Sequence, residues 1–417
     1  MLTIDEAVAH ILATVRPTGS ERVPLGDSLD RVVAEGVTAP VALPPWNNSA
    51  MDGYAVVAAD TTGATREHPA ALSLVGTVPA GGVFKGRLQP GQAVVIATGA
   101  PMPAGADAVV LVEDSDGARK GVVHLFEAAK EGQHVRREGE AVTAGGRVAE
   151  PGDVLTPGRM ALLAAVGVAS VQVARAPRVG ILSTGDEVIR PGLPLGPGQI
   201  YSSNDIALAA LVRRAGGVAV VHQASADDPE ELLGRMRGML ALEPDLLVTT
   251  GGVSVGPFDF VRDVMAELGA EMDFWKVRMK PGKPLAFGTV DGVPLFGLPG
   301  NPVSCMVNFL QFVRPWMRRA MGDPHPFLPV LDAVAAEDFH DRPGRARLLR
   351  VTLHAGPRGW LARSTGIQSS GAVVSMAMAQ GLLLVAADED APRAGDAVRV
   401  QLVEAGSLQR PDAGYPW

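Results

Sequence analysis

Apolar residues recur at helical spacing from the first turn of the chain: Ile4, Val8, Ile11, Leu12 and Val15 share one face. A Thr3-x-x-Glu6 box precedes them, so the spacing predicts a capped helix over residues 4–15. Residues 22–37 read as an extended piece and a short helix. From 40 to 140, short apolar runs (72–78, 93–97, 108–113, 122–126) alternate with Gly/Pro clusters, the texture of an all-β segment. Residues 141–173 return to mixed strands, with a helix near 160–166.

From residue 177 the rhythm becomes β-α-β. Strands are expected at 178–183, 218–222, 245–250, 274–280 and 294–298, and helices at 205–215, 258–268 and 302–321. Asn204 is expected to cap the first of these helices. Asp228 would cap another, with Pro229 at its first position and Glu231 completing a capping box. Beyond a Pro-rich linker at 322–329, short runs at 331–335, 348–354, 382–386 and 397–403 predict a small β-barrel or sandwich. The expected fold class is α/β multidomain. A three-layer α/β domain (177–322) is joined to an N-terminal mixed α/β domain (1–45 and 141–176), which carries an inserted β domain (46–140), and to a C-terminal small β-barrel (329–417). Ligands in such α/β sheets sit at the carboxyl ends of the strands.

Composition narrows the chemistry. The formal net charge of −8 argues against a general nucleic-acid binder. The single cysteine, Cys305, allows no disulfide framework and no cysteine-based metal site, and reads as a small buried residue on a helix. No uninterrupted apolar stretch of ~18 residues is present and the N-terminus lacks a signal-peptide pattern, so a cytoplasmic protein without membrane contact is expected. Walker-type loops, GxGxxG fingerprints, HExxH and histidine clusters are all missing from the sequence.

What remains is anion and metal chemistry. In a continuous 274–280 strand, Lys276, Arg278 and Lys280 would share one face, as a polyanion site or as a solvated edge kept from aggregating by its charges. The turn Gly297-Leu298-Pro299-Gly300-Asn301-Pro302-Val303-Ser304 leads a buried strand into a long helix, whose free N–H groups would favour an anion. Thr249-Thr250-Gly251-Gly252-Val253-Ser254-Val255-Gly256 ends another strand. Its glycines allow close backbone approach, Ser254 and the loop N–H groups suit a phosphate, and Asp259 suits either a helix cap or a Mg²⁺ between carboxylate and phosphate. Ser183-Thr184-Gly185-Asp186-Glu187 places two carboxylates at a third strand end. Asp52-Gly53, in Asn48-Ser49-Ala50-Met51-Asp52-Gly53-Tyr54-Ala55-Val56, reads locally as a turn.

These segments, with Lys280-Pro281-Gly282-Lys283-Pro284, together resemble the MoeA family of molybdopterin molybdenumtransferases, which includes the E domains of gephyrin and of its plant counterpart. The resemblance spans nearly the whole chain. It implies a homodimer whose α/β domain, the molybdopterin-binding domain, forms a site with β domains of the other subunit. It also implies a reaction that inserts molybdate into adenylylated molybdopterin and releases AMP with Mg²⁺, with other cofactor-biosynthesis enzymes as further partners. Carried over by motif, the catalytic set is Asp52, Thr98, Glu187, Asp228, Asp259, Lys276, Lys280, Arg350 and Ser370, with Asp52, Glu187 and Asp259 as metal ligands. Gly251, Gly252, Ser254, Pro299, Gly300, Asn301, Pro302 and Ser304 would hold the substrate. Ala141 stands where the family often has Asp after Gly-Glu. Two alternatives are a molybdopterin adenylyltransferase, whose relatives show Gly-Gly-Thr-Gly where this chain has Gly251-Gly252-Val253-Ser254, and a non-enzymatic dimeric scaffold.

Overall fold

The computed structural model describes residues 1–117, 119–185, 187–223, 229–251, 260–356 and 359–403. Asp186, Asp228, Gly252, Ser254 and Asp259 therefore lie outside the described residues. The chain forms two compact units, one of Met1–Glu21 with Ala174–Trp417 and one of Arg22–Val173.

The Arg22–Val173 unit is built on a five-stranded sheet in the order Ala108–Leu111, Gly53–Val56, Gln92–Ile96, Ala70–Val78, Val122–Leu125. Every residue of Gly53–Val56 is buried, because apolar clusters cover both faces of the sheet. Tyr54, Val56, Leu72, Val110 and Leu125 pack on one side. Ala55, Val78, Val94, Ile96 and Val109 pack on the other. Asp52-Gly53 is less a turn than a strand start. A Cβ on Gly53 would lie 2.0 Å from the Val110 carbonyl oxygen, so only glycine lets the neighbouring strand approach. The expected helix near 160–166 is Pro157–Ala165, with Thr156 accepting from the Arg159 N–H.

In the larger unit the first helix is Ile4–Ala13, and both halves of the Thr3/Glu6 capping box form. A six-stranded sheet follows in the order Val218–Gln223, Arg178–Ser183, Leu246–Thr250, Val293–Leu298, Pro284–Val290, Glu271–Lys276. The first four strands are parallel, and Pro284–Val290 runs antiparallel to both its neighbours. Alternation along the strands explains the three layers. Val179, Ile181, Val248, Phe296 and Leu298 face a cluster that contains Leu208 and Val212 of helix Asn204–Arg214 and Phe309 and Trp316 of the long helix. Leu182, Leu247 and Leu295 face Leu232, Met236 and Met239 of helix Pro229–Leu240 and Val264 and Met265 of helix Phe260–Glu267. The long helix starts at Pro302 and ends at Ala320, with a π-helical stretch at Phe309–Val313. Pro315 lies one residue beyond it; it has no N–H for the i−4 carbonyl, and the wider turn accommodates its ring.

The C-terminal strands close into a five-stranded barrel: Ala346–Gly356, Gly359–Ser364, Val330–Ala335, Ala397–Leu402 and Gly381–Val385, which pairs back with Ala346–Gly356. Among the described residues, no helix is long and apolar enough to cross a membrane.

One expected strand is two. Glu271–Lys276 belongs to the α/β sheet, whereas Met279–Lys280 pairs in parallel with Ala346 and Arg347 of the barrel. Between them the Val277 N–H donates to Lys283 O and the Arg278 N–H to Leu2 O, which draws the chain off the first sheet. Lys276, Arg278 and Lys280 therefore do not form one charged strand face. Lys276 is exposed, the Arg278 Nε–H donates to Gly344 O, and the Lys280 ammonium is paired with Asp341.

Candidate functional site at the strand ends

Three strands of the α/β sheet end beside one another, and their loops are knitted together. The Thr184 N–H donates to Thr250 O (3.2 Å) and the Gly251 N–H to Leu298 O (3.3 Å). The Thr250 hydroxyl donates to Pro299 O (3.3 Å). Gly251 has φ +90°, and a Cβ there would lie 2.9 Å from Thr184 Oγ1; Gly300 packs against its Cα. The sequence called for glycine at 251 because the loops meet here with no room for a side chain.

Asn204 clamps this junction. The expectation that it caps the 205–215 helix is corrected: the helix begins at Asn204 itself, behind Ser203, and no side-chain cap forms. The Asn204 Nδ2 instead donates to Thr250 Oγ1 (2.9 Å) and to Gly300 O (2.8 Å). Its Oδ1 is buried with no partner among the described residues. Asn204 escaped the sequence reading as a site residue because an Asn at a helix start looks like a cap, and only the fold brings residue 204 to residue 300.

The turn into the long helix offers fewer donors than its sequence promises. Pro302 has no N–H, the Val303 N–H donates to Ser370 O (3.1 Å), and Asn301 makes no side-chain cap. The N–H groups of Gly300, Asn301 and Ser304 remain as the loop's donors. Ser304 is buried in the first turn. Beneath it Cys305 is fully buried, and burial pushes its thiol up to about 12.

The contact from Val303 to Ser370 brings the barrel to this junction, with Gly371 close to Asn301 Oδ1. Arg350, on the barrel strand Ala346–Gly356, orders the segment that carries Ser370. Its side chain is 1% exposed and donates to Ser375 Oγ (3.1 Å), Ile367 O (3.3 Å) and Ser369 O (3.0 Å). Gln368 accepts from the Arg350 N–H and donates to Arg350 O, standing in for a strand partner. Burial lowers the guanidinium to about 10, so it stays cationic at neutral pH, with only neutral oxygens around it.

Glu187 follows the end of strand Arg178–Ser183. Gly185, at φ +131°, lets its carboxylate fold back: a Cβ on Gly185 would lie 2.7 Å from Glu187 Oε2. The Glu187 carboxylate is exposed and has no partner among the described residues. No group of three or more His, Cys, Asp or Glu side chains that could hold a metal ion occurs among the described residues.

The structure thus brings together Gly251, Pro299, Gly300, Asn301, Pro302 and Ser304 with Ser370 and Arg350. It directs the Lys280 ammonium to Asp341. Asp52 and Thr98 lie in the Arg22–Val173 unit and form their own pair. Asp52 Oδ1 accepts from the Thr98 N–H (2.7 Å) and hydroxyl (2.8 Å), which together hold its carboxyl below the usual range, the backbone N–H contributing most.

Parallel-strand ends knitted into one junction, a helix start beside it and a buried arginine without a counter-ion among the described residues are features of an α/β ligand-binding module with a barrel packed beside it. Comparison with known proteins specifies which. Residues 2–167 match the MoeA N-terminal region (domains I and II), 180–319 a "Probable molybdopterin binding domain", and 332–403 the MoeA C-terminal region (domain IV). Molybdopterin molybdenumtransferase 2 of Mycobacterium tuberculosis is 43% identical over 84% of this chain and 86% of its own length. Molybdopterin molybdenumtransferase of Bacillus subtilis is 34% identical over 100% of this chain and 96% of its own. The crystal structure of the molybdopterin biosynthesis MoeA protein of Pyrococcus horikoshii OT3 superposes with a TM-score of 0.81 at 28% identity, covering 96% of this chain and 100% of that one. The chain belongs to the MoeA family.

Proposed function

We propose that this protein is a molybdenumtransferase that inserts molybdate into adenylylated molybdopterin and releases AMP. The observation that carries the reading is Arg350: a buried cation whose partners among the described residues are all neutral, bonded to the segment that delivers Ser370 to the strand-end junction. A desolvated guanidinium of this kind is a strong partner for an oxyanion or phosphate. The unpartnered Oδ1 of Asn204 suits a substrate N–H, which a pterin supplies.

In this reading molybdate, a dianion, is received by Arg350, Ser370 and the N–H groups of the 298–304 turn. Lys276 and Lys280 add positive charge, and the loops at 251–254 hold the substrate's phosphate. Mg²⁺ needs only one or two protein carboxylates when phosphate and water complete its shell, and the free carboxylate of Glu187 fits that requirement. With Asp259 and Asp52 as the other candidates, the ion would neutralise charge on the adenylate phosphate. Asp52 and Thr98 enter the site from the second subunit of a homodimer. Their pairing keeps Asp52 ionised and aimed, which suits a metal ion or a substrate N–H. The chain is read as four domains (1–45 with 141–176, 46–140, 177–322 and 329–417) and as cytoplasmic.

The test incubates the protein with adenylylated molybdopterin, Mg²⁺ and molybdate and follows AMP. Molybdate-dependent release is expected; none from a folded dimer overturns the assignment. Asp52→Asn, a change at an exposed side chain, should lower the rate ~100-fold, the scale for losing one charged contact to the reacting groups, with the melting curve unchanged. Full activity removes Asp52 from the site.

A further inference from the structure

On the far side of the same barrel strand lies a cavity of ≈650 Å³ lined by Lys280, His340, Asp341, Arg342, Arg345 and Arg347 among others. We infer that it is a second anion site, which takes a tetrahedral dianion either free or as the phosphate of a monoester. Apart from Lys280, its lining shares no residue with the strand-end junction. Arg347 and Arg350 are three positions apart on one strand, so their side chains leave opposite faces. Arg350 is engaged with residues 367–375, whereas Arg347 lines this cavity.

The argument rests on charge that the protein leaves unanswered. Four cationic side chains meet one carboxylate. Asp341 is already committed, with its two oxygens 2.9 and 3.0 Å from Lys280 Nζ and Oδ1 also accepting the Arg342 N–H. The guanidiniums of Arg342 and Arg345 have no partner among the described residues. Arg347 is 1% exposed. Its Nη2 donates to the carbonyl oxygens of Ala386 (3.0 Å) and Glu389 (2.5 Å), while its Nε and Nη1 are buried with no partner among the described residues. Buried donors on a charged group are normally paired. The cavity wall is thus left with positive charge on Arg342, Arg345 and Arg347 that one oxyanion would answer, its oxygens matching guanidinium geometry. The volume lies in the range of small-molecule pockets and exceeds what one tetrahedral ion fills, which leaves room for the organic part of a monoester.

Calorimetric titration of the intact protein at low salt tests this, with inorganic phosphate, molybdate and AMP as separate ligands. The probe variant is Arg342→Gln with Arg345→Gln, two side chains without a partner among the described residues; Arg347→Met is a second. Both should weaken one binding event by ~10-fold or more, as expected when charged hydrogen bonds are removed. That event should persist in Arg350→Gln, and molybdate-dependent AMP release should be unchanged in the double variant. Tighter binding of AMP than of phosphate assigns the monoester, and the reverse assigns the free ion. No saturable binding that survives Arg350→Gln, or equal affinity in wild type and the double variant, overturns the site.

Discussion

Replacing Asn204 by aspartate separates two accounts of this residue by sign. The side chains are isosteric, but the carboxylate has no N–H. Both bonds from Nδ2, to Thr250 Oγ1 at 2.9 Å and Gly300 O at 2.8 Å, are lost. At ~0.5–1.5 kcal/mol net for each neutral hydrogen bond, the direct loss is ~1–3 kcal/mol. The negative charge then faces the Gly300 carbonyl, which adds to the loss. If Asn204 were a helix cap, aspartate would serve equally well, and its charge at a helix N-terminus would contribute ~0.3–1 kcal/mol of stability. Urea denaturation of wild type, Asn204→Asp and Asn204→Ala measures the difference. The clamp predicts Asn204→Asp below wild type, with a deficit that shrinks on acidification, because the protonated carboxyl regains one donor. A variant as stable as wild type or more so refutes the clamp and restores the cap.

Two other expectations follow from the local chemistry. Thr98→Val should raise the Asp52 pKa, but only part of the way, because the larger contribution comes from the Thr98 backbone N–H and survives. A depressed carboxyl stabilises the fold above its unfolded pKa and loses that contribution as pH falls through the folded value. Thr98→Val should therefore flatten the acid limb, and carboxyl-carbon NMR titration reads the shift; an unchanged or lower pKa contradicts the pairing. Cys305, with its thiol pushed up to about 12, should resist a thiol-specific disulfide reagent at pH 8 in the native protein and react at once in denaturant. Rapid native labelling would show that the core around it is open.

Periodic segments were legible in the sequence because one physical cause dominates each. The capping box at Thr3 and the short apolar run at 178–183 predict their elements directly. The shared site was legible only as pieces. Gly251 and the 297–304 turn announce close backbone approach, but the Asn204 bridge spans 96 positions and depends on tertiary placement. Strand 274–280 misled because its alternation is genuine: Val277 and Met279 are both buried. The partner strands change halfway, and no local pattern encodes a partner. Pro284–Val290 was missed for a related reason, since the proline-rich turn before it reads as loop. Its Pro284 carbonyl is fixed from outside by the Asn308 Nδ2 (3.0 Å), a residue on the long helix.

The change of partner between Lys276 and Met279 also decides how far the barrel can be treated as a detachable piece. The polypeptide leaves the α/β sheet, lends two residues to the barrel beside Ala346 and Arg347, and returns to the sheet at Pro284. Severing the linker near residue 325 would not free the barrel, because a stitch from the other module runs through its wall. An excised α/β fragment would carry a bare two-residue strand and exposed Val277 and Met279, and an excised barrel would have an open seam along Ala346. Shuffling such modules between relatives therefore has to move residues 277–283 together with the barrel they sew to.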